Sequence, residues 1–118
     1  MNAMSKASYN EVIEESANSG RQQEAAAIAH SIELMNGAEA ETAQPKDTVI
    51  ALPFTRRLWE LLLRDLASPE NGLPRSLRAD LISIGLGILK DLEKIRQRQK
   101  ESFETTISLS KIIIEGLK

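Results

Sequence analysis

Apolar residues recur along this chain at intervals of three and four. No run of four or more residues alternates apolar and polar between turn signals, so the pattern is that of helices packed on one another. From Arg21 to Met35 the positions Ala25, Ile28, Ile32 and Met35 share one face of an amphipathic helix. Asn36-Gly37 should end it, because both residues tolerate the left-handed backbone of a helix stop, and 37–46, polar and containing Pro45, reads as a linker. Upstream, Tyr9 to Ser16 predicts a short separate helix, since Ala17-Asn18-Ser19-Gly20 competes for the backbone, and 1–7 reads as a flexible N-terminus.

A second long helix ends near Ala67, where Ser68-Pro69 interrupts it, while Pro53 either opens it or kinks it. Leu58, Leu62 and Leu66 lie on one face and Trp59 and Leu63 on the adjacent one, a stripe wide enough to be covered on two sides. The third helix should start at Pro74 and carry Leu77, Leu81, Ile84, Ile88, Leu92 and Ile95 on one stripe, with Ile82, Leu86 and Leu89 beside it. The fourth should start near Ser102 and place Phe103, Ile107, Ser110, Ile114 and Leu117 at heptad-like spacing. No Gly or Pro separates Gln97 from Ser102, so the pattern leaves open whether the third and fourth helices are continuous. The expectation is all-α: a small antiparallel helical bundle of about four main helices plus a short N-terminal helix, in one domain spanning 1–118.

Composition narrows this picture. With one Trp, one Tyr and two Phe, the core must be built mainly from Leu, Ile and Ala, and 42% hydrophobic with 27% charged residues is the balance of a globular chain. No cysteine is present, which removes disulfides, thiolate metal sites and thiol nucleophiles, and the lone His30 has no second ligand of zinc-site spacing. Net charge is −2, so the molecule as a whole does not attract a polyanion, and no direct nucleic-acid contact is expected. The start of the chain lacks the apolar segment of a signal peptide, and no apolar run nears the ~20 residues of a membrane span; a cytoplasmic protein without membrane contact is expected. Carboxylates are dispersed, without acid–base pair or nucleophile motif, so neither catalysis nor a cofactor or metal is expected.

Several features remain as candidate contacts with a partner. Arg56, Arg57 and Trp59 have the residue types of an interface anchor, although a single Trp in a small bundle is more often core and the arginines can pair with Glu60 and Asp65. Ser68-Pro69-Glu70-Asn71-Gly72-Leu73-Pro74 is a rigid exposed turn, and Glu70, Asn71 and Leu73 are where a partner can grip. Gly85 and Gly87 inside a helix cost ~1 kcal/mol each relative to Ala, which close helix crossing would justify. Lys94, Arg96, Arg98 and Lys100 make a basic helix end, read mainly as complementing the helix dipole.

One stretch is more specific. RLW (Arg57–Trp59), DLASPENGLP (Asp65–Pro74) and LRADLISIGL (Leu77–Leu86), with SYNEVIEES (Ser8–Ser16) and the EGLK ending (Glu115–Lys118), resemble the FlaF family of flagellin-biosynthesis regulators of alphaproteobacteria over nearly the whole chain. The resemblance implies a regulator of flagellum biogenesis that binds flagellin as a chaperone-like adaptor and acts with the RNA-binding regulator FlbT. Its alternatives are control of flagellin mRNA translation through an RNA-binding partner, and a structural module that homodimerises through Ile112-Ile113-Ile114. FlaF sequences commonly carry a tryptophan where Gly87 stands, which leaves a notch here, and a glycine about where Arg98 stands.

Overall fold

The computed structural model describes the backbone of residues 6–117 and the surroundings of residue 20 and residues 22–116. Its helices are α1 (Lys6–Glu39), α2 (Pro45–Ala67), α3 (Arg75–Arg96) and α4 (Glu104–Leu117). Among the described residues α1 packs on α2 and α4, and α3 packs on the same two neighbours, so the four helices form a ring. The expected all-α antiparallel bundle is the observed architecture.

α1 is one helix where two were expected. Ala17-Asn18-Ser19-Gly20 and Asn36-Gly37 are all helical. A helical glycine costs ~1 kcal/mol, but breaking the helix there would leave two further ends with unpaired backbone groups, and cooperative extension wins. The short helix at Tyr9–Ser16 is therefore part of α1, and the 37–46 linker contracts to residues 40–44. Residues 1–5 of the expected flexible N-terminus lie outside the described residues.

Pro45 opens α2, and Asp47 Oδ2 accepts the Gln44 N–H at 2.8 Å, capping the first turn. Pro53 is interior to α2 and exposed, so the carbonyl it leaves unbonded lies on the solvent side, where water can bond it. α3 starts at Arg75, with Pro74 as its N-cap, one residue before the expected first-turn position. It does not run into α4. Arg98 adopts φ 59, the Gln99 N–H donates to Lys94 O at 2.8 Å and the Arg98 N–H to Ile95 O at 3.0 Å, the paired bonds of a left-handed helix stop with arginine where glycine is usual.

The start of α4 is held by the far end of α1. Glu39 Oε1 accepts the Phe103 N–H at 2.6 Å, Glu39 Oε2 accepts the Ser102 hydroxyl at 3.2 Å, and Ser102 Oγ takes the Glu104 N–H at 3.1 Å. A carboxylate thus sits at the positive end of the α4 dipole. Ser102 caps from one residue further out than expected.

The core joins Ile28, Ile32 and Met35 of α1 to Trp59, Leu62 and Leu66 of α2, the Leu81–Ile95 stripe of α3, Phe103 just before α4, and Ile107 and Ile113 of α4. Ile113 is the deep isoleucine of α4 and Ile114 only half-buried, a shift of one position from the heptad reading. Four side-chain hydroxyls, Ser31, Thr55, Thr106 and Ser110, are fully buried within this core. The α2 stripe is covered, with Trp59, Leu62 and Leu66 buried and Leu58 and Leu63 half-buried, whereas the second stripe of α3 meets solvent at Leu86, which is 57% exposed.

Candidate partner-binding site

The turn between α2 and α3 is organised by Asn71. Its Nδ2 donates to Asp65 O at 3.2 Å and Asp65 Oδ2 at 3.1 Å, and its Oδ1 accepts the Leu73 N–H at 3.0 Å. Ser68 O accepts both the Asn71 N–H and Arg78 Nη1, each at 3.1 Å, and Ser68 Oγ accepts the Glu70 N–H at 3.3 Å. Asn71 is committed inward to holding the turn. Glu70 is left with its side chain exposed, and Leu73 is half-buried.

Beneath the turn lies a cavity of ≈ 330 Å³. Ile28, Trp59, Leu62, Leu66, Leu81 and Ile113, drawn from all four helices, form its apolar wall, and Leu73 closes on it from the turn. Glu24, Asp65 and Glu70 are the acidic residues of its lining. Trp59 is 1% exposed, so it is a core residue and not a free anchor, yet it borders this cavity, and its buried Nε1–H has no acceptor among the described residues.

Arg56 and Arg57 lie on the outside of α2, away from that wall. Arg56 pairs with Glu60 at 3.3 Å and with Glu93 of α3 at 3.4 Å, and Arg57 reaches Glu60 at 3.7 Å. Asp65, the other expected partner, is taken by Asn71. Glu93 also receives Arg96 Nε at 3.0 Å and Nη2 at 2.6 Å and Gln97 Nε2 at 2.9 Å. Its carboxyl is held down at about 2 from an ordinary 4.5, first by the Arg96 hydrogen bonds and charge, then by Gln97 and Arg56, against some opposing desolvation. The bonded carboxylate in turn raises the Arg96 guanidinium further.

The two glycines of α3 separate. Gly85 is the close crossing, with Leu63 and Trp59 packed against it, whereas Gly87 is exposed with open space around it. Of the basic helix end, Arg96 is paired with Glu93, and Lys100 folds back to donate to Asp91 Oδ1 at 2.7 Å and Thr105 Oγ1 at 2.9 Å. Asp91 also accepts the buried Thr106 hydroxyl at 2.7 Å. His30 is a surface residue, edge-on to Phe54 at 5.1 Å between ring centroids.

A family model described as flagellar protein FlaF matches residues 5–117. The chain belongs to the FlaF family. No curated protein and no solved structure matches it. For this FlaF-family chain, then, membership carries the flagellar connection, and the fold shows what the sequence-predicted contact residues can do. The structure brings Trp59, Glu70, Asn71 and Leu73 to one cavity at the α2–α3 turn and leaves Arg56, Arg57 and Gly87 outside its lining. Leu62, Leu66, Leu81 and Ile113 were read from the sequence only as stripe or seam positions. That they meet around a void is a property of packing between four helices, which no periodicity carries.

Proposed function

We propose that this FlaF-family protein is a cytoplasmic regulator of flagellum biogenesis that binds flagellin as a chaperone-like adaptor and works with FlbT. What supports the reading is the coincidence of family and site: the block that most resembles FlaF, Arg57–Leu86, builds the turn and two walls of the apolar cavity. A protein awaiting assembly exposes the apolar faces of its amphipathic helices, and a bundle with an apolar pocket can shield one. Control of the flagellin message through this chain's own basic helix end is less favoured. Arg96 and Lys100 are engaged by Glu93 and Asp91, and the net charge of −2 repels phosphate. Any effect on the message is assigned to FlbT. The dimerisation reading keeps only Ile112, 58% exposed, since Ile113 is 3% exposed and Ile114 half-buried. Light scattering on a mixture with monomeric flagellin from the same genome tests the proposal. A species with the summed mass of the two is expected; two unchanged masses would refute it.

A further inference from the structure

We infer that the cavity under the α2–α3 turn takes two apolar side chains, one helical turn apart, from a basic amphipathic helix of the partner. The inference rests on the partner-binding reading above and adds the place of the contact and the chemistry that selects its occupant.

Size comes first. A cavity of ~150 Å³ lined by Leu, Ile and Phe holds one benzene. The ≈ 330 Å³ here matches about two such groups, which side chains at i and i+4 of one helix deliver together. The wall is Ile28, Leu62, Leu66, Leu81 and Ile113 with the Trp59 indole, so the inner surface rewards apolar contact.

Charge decides the flanks. Asp65 and Glu70 are among the lining residues, which include no Lys, Arg or His among the described residues, and Glu70 stands exposed on the turn. A fatty-acid carboxylate or an acidic helix would be repelled, whereas Lys or Arg beside the inserted side chains is attracted. The exposed apolar residues Ile50, Phe54 and Leu61 offer no comparable enclosure.

Trp59 is the chain's single tryptophan and lines the cavity, so its indole N–H resonance is a single reporter placed at this wall. The probes are a synthetic amphipathic helix of leucine and lysine, and the same pattern with glutamate replacing lysine. Saturable movement of the Trp59 resonance by the lysine helix is expected, with about tenfold weaker binding for the glutamate helix. Ile113→Phe, which fills the cavity, and Glu70→Lys, which reverses its rim, should each weaken the lysine helix about tenfold. Should Ile113→Phe fail to fold, Glu70→Lys at its exposed site decides. An unmoved Trp59 resonance, or equal affinity for both helices, overturns the inference. Flagellin that binds without moving Trp59 would uphold the proposed function and refute this pocket as its site. A Trp59 response to the lysine helix but no complex with flagellin would do the reverse.

Discussion

A Cβ added at Gly85 would stand 2.8 Å from Leu63 Cδ2, 3.2 Å from Leu63 Cγ and 3.3 Å from Trp59 Cε3, whereas one added at Gly87 meets nothing within 4 Å. Both glycines weaken α3 by ~1 kcal/mol on propensity alone, so only the contacts separate them. Gly87→Ala should therefore stabilise the fold by about 0.5–1 kcal/mol in a urea melt, while Gly85→Ala should destabilise it by about 1 kcal/mol, overpacking outweighing propensity. Equal shifts for the two would contradict the crossing at Gly85. Arg98 offers the mirror case. Its φ of 59 costs an arginine ~1 kcal/mol that glycine avoids, so Arg98→Gly should raise stability by about that amount despite its looser unfolded chain. The sequence carried the identity of these residues but not their surroundings: two glycines in one helix look alike until a neighbour's side chain is placed.

At the scale of elements, the helix faces were legible and the helix ends were not. Ile28, Ile32 and Met35, and Leu81, Ile88, Leu92 and Ile95, are buried as their spacing predicts, because a period of 3.6 is enforced by the backbone itself. The joint between the Tyr9–Ser16 segment and the first long helix, and the reach of that helix to Glu39, depended on weak local preferences that cooperative extension overrides. The end of α3 depended on a left-handed arginine, whose one sign in the sequence was the glycine that FlaF relatives carry near that position. Glu39 at the head of α4 joins residues more than sixty positions apart, beyond any local pattern. Packing of α2 also has a cost the stripe conceals: the Thr55 hydroxyl is fully buried without a partner among the described residues. Thr55→Val keeps the shape and removes that group, and should stabilise the bundle by about 1 kcal/mol in thermal or denaturant unfolding. A loss of similar size would show that the hydroxyl is bonded in solution.

For the whole molecule, the ion-pair network across α2 and α3 ties stability to acid. Glu93 titrates near 2 in the folded protein against an ordinary 4.5, a depressed carboxylate, so its contribution is complete above 4.5 and is lost as pH falls from there towards 2. Glu93→Gln should flatten the stability profile in that window and leave the slope above it unchanged, as read by urea midpoints against pH. The site was partly legible at this scale. The turn from Ser68 to Pro74 and its neighbour Trp59 stood out by residue type, yet the cavity that unites them is set by where four helices fail to fill space. The proposed recognition of flagellin by burial of apolar helix surface is tested by calorimetric titration with flagellin from the same genome at several temperatures. Micromolar or tighter binding with a negative heat-capacity change is the predicted result. The absence of any binding heat at all temperatures, with both proteins folded and flagellin monomeric, would contradict it.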